Sequence, residues 1–153
     1  MKSLLHPDIQ AVGVFVNEPT ENIASLLEQG IIDAAQLHGG ESAEDVLALK
    51  AKTRCTVIQA FRVETSADVE RAVVSPADMI LLDNGAGGTG ETFDWPLVAG
   101  VKRPFFLAGG LSAENAREAI RQCGPFAVDS SSKLETDGIK DYQKMKAFIE
   151  AVR

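Results

Sequence analysis

Short, nearly all-apolar runs recur along the chain at 12–16 (Val-Gly-Val-Phe-Val), 34–37, 56–61, 79–82, 104–108 and 126–128. Each suits a strand buried on both faces, as in a parallel sheet covered by helices. The stretches between them carry helical periodicity. In 22–28, Ile23, Leu26 and Leu27 share one stripe and Gly30 follows as a stop. Ser42 opens the next helix, with Asp45 at the capping-box position and Val46, Leu47 and Leu49 apolar. Ser66 opens a third, carrying Val69, Ala72 and Val73; Ser112 opens another near Ala113, carrying Ala116, Ala119 and Ile120. A final helix spans about 139–152, with Tyr142, Met145, Phe148, Ile149 and Val152 on its apolar side, and a short helical segment follows Asp94-Trp95-Pro96.

Strand and helix thus alternate along the chain, which implies parallel strands joined by right-handed crossovers. Two α/β architectures compete, the doubly wound sheet and the eight-unit barrel. Six units fill 153 residues, whereas a complete barrel has eight units and about 250 residues. No linker, low-complexity tract or charge block interrupts the pattern, so residues 1–153 read as a single domain.

Composition narrows the partners. Fifteen basic residues against 22 acidic give a net charge of −7, which argues against nucleic-acid or anionic-membrane binding. A small anion remains open, because backbone amides hold one without net positive charge. No run is long and apolar enough for a membrane helix, and the first ten residues lack a signal peptide's apolar stretch. Cys55 and Cys123 are the only cysteines. They make no disulfide framework and read as structural thiols of a reduced, cytoplasmic protein. No Cys/His cluster has zinc spacing, so no metal is expected.

In a barrel, chemistry gathers where strands end and their following loops begin. Those positions hold Asn17, His38-Gly39-Gly40-Glu41, Arg62, Asp83-Asn84, Gly109-Gly110 and Asp129-Ser130-Ser131-Ser132. Asp83 ends an apolar strand at the rim of a low-dielectric pocket, where a carboxyl group can serve as a general acid. The glycine-rich 85–90 segment after it reads as a lid that closes over a ligand and excludes water. Gly109 and Gly110 let a phosphate approach the backbone ahead of a helix N-terminus, and the three serines offer hydroxyls and amides to the same anion.

Taken together, Val12-Gly13-Val14-Phe15-Val16-Asn17, Gln36-Leu37-His38-Gly39, Leu82-Asp83, Gly88-Thr89-Gly90, Phe93-Asp94-Trp95, Leu107-Ala108-Gly109-Gly110-Leu111 and Val128-Asp129-Ser130-Ser131 resemble phosphoribosylanthranilate isomerase of tryptophan biosynthesis. The resemblance runs from about Val12 to the end. It implies a TIM-barrel type α/β fold with about six of the eight βα units present. It implies an aldose–ketose isomerase that turns N-(5-phosphoribosyl)anthranilate into 1-(2-carboxyphenylamino)-1-deoxyribulose 5-phosphate by an Amadori rearrangement, without a cofactor. Asp83 then matches the general acid. Gly109, Gly110, Ser130 and Ser131 match the phosphate site, and Asp129, His38 and Arg62 line the same pocket. The family's general base is a cysteine in a first strand reading Lys-Ile-Cys-Gly, and an arginine in its second unit meets the anthranilate carboxylate. Neither has a counterpart here, and Lys133 stands where the family usually has glycine. The expectation is therefore a family member that lacks turnover as a chain by itself. The alternative is a non-catalytic sugar-phosphate-binding or self-associating fragment. A homodimer, or a partner that covers open barrel edges, goes with either.

Overall fold

A computed structural model describes residues 2–83 and 95–153. Six strands, β1 (Val12–Phe15), β2 (Ala34–Leu37), β3 (Thr56–Arg62), β4 (Met79–Asp83), β5 (Phe105–Leu107) and β6 (Ala127–Val128), form one sheet in sequence order. The β1–β2, β2–β3 and β5–β6 pairs are parallel. Helices α1 (Thr20–Glu28), α2 (Ala43–Lys52), α3 (Ser66–Val73), α4 (Ala116–Cys123) and α5 (Tyr142–Val152) fall between and after the strands. The chain divides into two compact units, Met1–Ala60 with Val74–Ile80, and Phe61–Val73 with Leu81–Arg153. Strands β3 and β4 each contribute to both.

In the first unit, α1 and α2 bury one stripe each. Ile23, Ala24 and Leu27 of α1 meet Val46 and Leu49 of α2 over Ala35, Leu37 and Val57 of the sheet. All four residues of β2 are buried, Gln36 included, as a central parallel strand requires. Helix α2 starts where expected. The Ser42 side chain accepts from Asp45 N, and Asp45 Oδ2 accepts from Ser42 N at 2.8 Å, a complete capping box. An aspartate stands just before β2 and another just before β4, and each accepts an amide of the preceding strand segment. Asp33 Oδ2 accepts from Ala11 N at 2.8 Å and Asp78 Oδ2 from Val57 N at 2.9 Å. Lys2 and Lys50 pair with these carboxylates. The Lys2 and Ala11 hydrogen bonds hold the Asp33 carboxyl below its ordinary range. At Asp78 partial burial opposes ionisation, but Lys50 and the Val57 amide outweigh it and the net direction is down.

The second unit is built around Phe105 and Leu107 of β5, with Ala116, Ala119 and Cys123 of α4 and Phe148 of α5 buried. Here the structure departs from the sequence pattern in two places. Helix α4 begins at Ala116 rather than near Ala113. Asn115 is the reason: its Oδ1 accepts from Ser112 N at 2.8 Å and its Nδ2 donates to Gly110 O at 3.1 Å. A side chain that satisfies backbone groups in this way favours a turn over helix propagation. Helix α5 begins at Tyr142 rather than near Ile139, because a hairpin precedes it. Its strands β7 (Glu135–Thr136) and β8 (Ile139–Lys140) are antiparallel and flank Asp137 and Gly138, both at positive φ (53° and 76°). Two such residues make the tight turn that matches strand twist. Ile139, Tyr142 and Ile149, expected on the apolar side, are exposed, while Phe148 supplies the buried contact of α5.

Candidate active site

The expected site residues fall in both units. In the first, the loops after β1 and β2 are tied together by side chains. The Glu41 carboxylate accepts from Asn17 N through Oε1 and from Gly39 N through Oε2, both at 2.7 Å. Asn17 Oδ1 accepts from Gly40 N at 2.8 Å. Asn17 sits at φ 54°, a left-handed conformation that asparagine tolerates better than most residues. Gln59, buried on β3, donates from Nε2 to Glu41 O at 2.8 Å and accepts from Ser75 Oγ at 2.6 Å. This lock holds the backbone on either side of His38. His38 N donates to Phe15 O at 2.8 Å, and its Nδ1 lies 3.0 Å from Gln36 Oε1. This contact to the amide of Gln36 sets the ring's orientation. A cleft of about 390 Å³ opens beside the lock, lined by Asn17, Glu18, Glu21, Leu37, Glu41 and Asp45. Four carboxylates make it a poor seat for a phosphate.

In the second unit, backbone hydrogen bonds bring the ends of successive strands level. Val63 N donates to Asp83 O, Ala108 N to Leu82 O and Asp129 N to Leu107 O, at 2.8–2.9 Å. The ends carrying Arg62, Asp83, Gly109-Gly110 and Asp129-Ser130-Ser131 are therefore side by side in sheet order. Asp83 is half-buried at the last position of β4. Gly109 (φ 92°) and Gly110 (φ 67°) both occupy the left-handed region, which a Cβ would strain. The Ser130 hydroxyl donates to Leu111 O at 2.5 Å and ties the loop after β6 to the loop after β5. Ser130 thus shapes the loop with its hydroxyl already engaged. Arg62 is exposed and its guanidinium pairs with Glu64 at 2.7 Å. The glycine-rich segment 85–90, with Phe93 and Asp94, lies outside the described residues.

The two cysteines differ in setting. Cys55 packs against the first unit's core, just before β3 and so at the end of that strand opposite His38. Cys123 closes α4, and burial pushes its thiol up to about 11. Neither stands at a strand end that carries the polar set. No cluster of three His, Cys, Asp or Glu residues suited to a metal ion occurs among the described residues. Among them also, no helix is long and apolar enough to cross a membrane.

This arrangement of strand-end polar residues can be set against known proteins. The family model described as N-(5'phosphoribosyl)anthranilate (PRA) isomerase matches residues 2–151. The chain belongs to this family. A relative from Endomicrobium trichonymphae, named N-(5'-phosphoribosyl)anthranilate isomerase, is 41% identical over 156 residues, 99% of this chain and 76% of that protein. A solved phosphoribosyl anthranilate isomerase in complex with reduced 1-(o-carboxyphenylamino)-1-deoxyribulose 5-phosphate superposes with a TM-score of 0.84 at 39% identity, over 98% of this chain and 74% of that one. A structure of monomers generated from the dimeric isomerase of Thermotoga maritima superposes with a TM-score of 0.80 at 38% identity, over 95% and 73%. The six-stranded α/β fold is thus of the TIM-barrel type, and the family activity is isomerisation of phosphoribosylanthranilate in tryptophan biosynthesis. The three named proteins are all isomerases and lend nothing to the expected lack of turnover or to the alternative of a non-catalytic binding fragment.

Sequence reasoning missed the Asn17–Glu41 lock and the buried Gln36 and Gln59. Glutamines inside otherwise apolar strands were the available signal, since a buried amide needs partners.

Proposed function

We propose that Asp83 is the general acid of the Amadori rearrangement. It protonates the ribose ring oxygen of N-(5-phosphoribosyl)anthranilate and opens the ring. Water accepts the C2′ proton of the resulting Schiff base, and the enolamine so formed becomes the ketone of 1-(2-carboxyphenylamino)-1-deoxyribulose 5-phosphate. The loops at Gly109-Gly110 and Ser130-Ser131 hold the 5′-phosphate. Arg62 and Asp129 line the substrate pocket. The observation that carries this reading is the half-buried Asp83 at the end of β4, level with the glycine and serine loops that end β5 and β6. The phosphorylated ligand held by the solved relative supports the same substrate chemistry. A homodimer in the cytoplasm is the assembly we propose, on the strength of the dimeric Thermotoga maritima relative.

The test is the loss of anthranilate fluorescence when purified protein meets freshly made substrate. Asp83→Asn is expected to lower kcat by about 10²–10⁴, the usual contribution of a general acid or base. An Asp83→Asn protein that folds and turns over like the parent rules the assignment out. Light scattering after size exclusion measures the assembly, and a single-chain mass rules out the dimer.

A further inference from the structure

Lys140 ends β8, directly opposite Glu135 in the hairpin register. An ammonium has three N–H donors, and three acceptors surround this one. They are Glu135 Oε1 at 2.6 Å, Ser131 Oγ at 3.0 Å and Ser131 O at 3.1 Å. The hairpin that presents Lys140 is itself pinned. Thr136 Oγ1 donates to Asp141 Oδ2 at 2.8 Å, Lys144 Nζ donates to Glu135 O at 2.5 Å, and Asp141 N donates to Leu134 O at 2.8 Å. Asp141 also caps α5 through the amides of Gln143 and Lys144.

We infer that Lys140 is a positioning residue for the phosphate loop, orienting the Ser131 hydroxyl and the Ser131–Ser132 peptide so that both offer donors to the 5′-phosphate. The inference rests on the proposed phosphate role of that loop. Two geometric consequences carry it. A hydroxyl oxygen that accepts from an ammonium directs its own proton elsewhere, so Ser131 is fixed as a donor pointing away from Lys140. In a planar trans peptide the N–H lies opposite the C=O. With Ser131 O held by Lys140 Nζ and by Leu134 N at 3.0 Å, the Ser132 N–H faces away from both. Because its three donors are engaged and Glu135 offsets its charge, Lys140 acts through geometry and not as a phosphate ligand. The hairpin, absent from the periodicity of the sequence, thereby acquires a purpose: it carries one lysine back to the loop nine residues earlier.

The experiment uses the full chain and compares Lys140→Met, Ser131→Ala and the double variant. It measures KM and kcat for phosphoribosylanthranilate, and the inhibition constant of inorganic phosphate as the probe. Losing an oriented, charge-assisted donor is expected to raise KM and the phosphate inhibition constant together, by about ten- to a hundredfold, with kcat changed less than about threefold. In the Ser131→Ala background, Lys140→Met costs less than in the parent, since the hydroxyl is already gone and only the orientation of the Ser131–Ser132 peptide remains to be lost. Lys140→Gln keeps a donor and falls between Lys140→Met and the parent; it serves if Lys140→Met fails to fold. If Ser131→Ala raises both constants while Lys140→Met and Lys140→Gln leave them unchanged, the positioning role is wrong and the phosphate reading stands. Effects that simply add, or that lower kcat and melting temperature without moving the phosphate constant, mark Lys140 as structural and also overturn it. If Ser131→Ala and Gly110→Ala leave both constants unchanged, the phosphate reading fails and takes the inference with it.

Discussion

Replacing Gly39 by alanine probes the lock beside His38. A Cβ built there meets Asn17 Oδ1 at 2.6 Å, Asn17 N at 2.8 Å and Glu41 Oε1 at 2.9 Å. The side-chain atoms cannot simply retreat, because Asn17 Oδ1 holds Gly40 N and Glu41 Oε1 holds Asn17 N. The Asn17 nitrogen is backbone. To reach ordinary contact the loop must open by roughly 0.6–0.8 Å, and overpacking of this kind costs about 1–3 kcal/mol. Reduced freedom of the unfolded chain returns about 0.4–1 kcal/mol. The net is a loss of up to about 2.6 kcal/mol, centred near about 1.3 kcal/mol, or about 3–5 °C in melting temperature for a chain of this size. Gly40→Ala is the matched control, since its Cβ finds only Asn17 Oδ1, at 3.6 Å. It is expected to be neutral or to stabilise by up to about 1 kcal/mol. Urea and thermal unfolding of both variants, read beside turnover, measure the contrast. Equal stabilities for Gly39→Ala and Gly40→Ala would falsify the lock.

The aspartate pins predict a pH dependence. The folded state lowers the Asp78 pKa, so its contribution is present above the unfolded value of about 4 and fades as pH falls through the folded value. In urea titrations, the deficit of Asp78→Asn should therefore be full at pH 7 and shrink on acidification; a deficit that grows in acid contradicts the sign. Ser42→Ala removes half of the α2 capping box and should destabilise by about 1 kcal/mol, checked by the urea midpoint. Cys123, buried and with its thiol raised to about 11, should alkylate with iodoacetamide at pH 8 far more slowly than the half-buried Cys55. Peptide mass spectrometry after a timed quench separates the two sites, and equal rates refute the protection.

The strands were legible because burial on both faces leaves an almost unbroken apolar run, and β2 and β4 match their runs to within a residue. The α2 start was legible because Ser42 and Asp45 carry its chemistry in their own side chains. The start of α4 was not, since Ser112 looks like a cap until Asn115 takes its amide. The hairpin before α5 was hidden because Ile139 fits a helical stripe as well as a two-residue strand. At the candidate site, Asp83 and the glycines were visible as polar breaks after apolar strands. Asn17 and Glu41 were visible in the same way, but the bonds that join their loops were not, and Lys140 was not visible at all, because these contacts act across 24, 23 and 9 residues and only the fold creates them.

The register of the first three strands bears on how the chain folds. Val12 faces Ala34 and Ala34 faces Thr56, so each pairing closes a loop of 22 residues. Phe106 faces Ala127 at a closure of 21. Closing such a loop carries an entropy of about 2.7 kcal/mol beyond its constant part, nearly the same for these three pairings. Sheet growth here needs no long-range search: each new strand docks on its immediate predecessor, and a nascent chain can add one βα unit at a time.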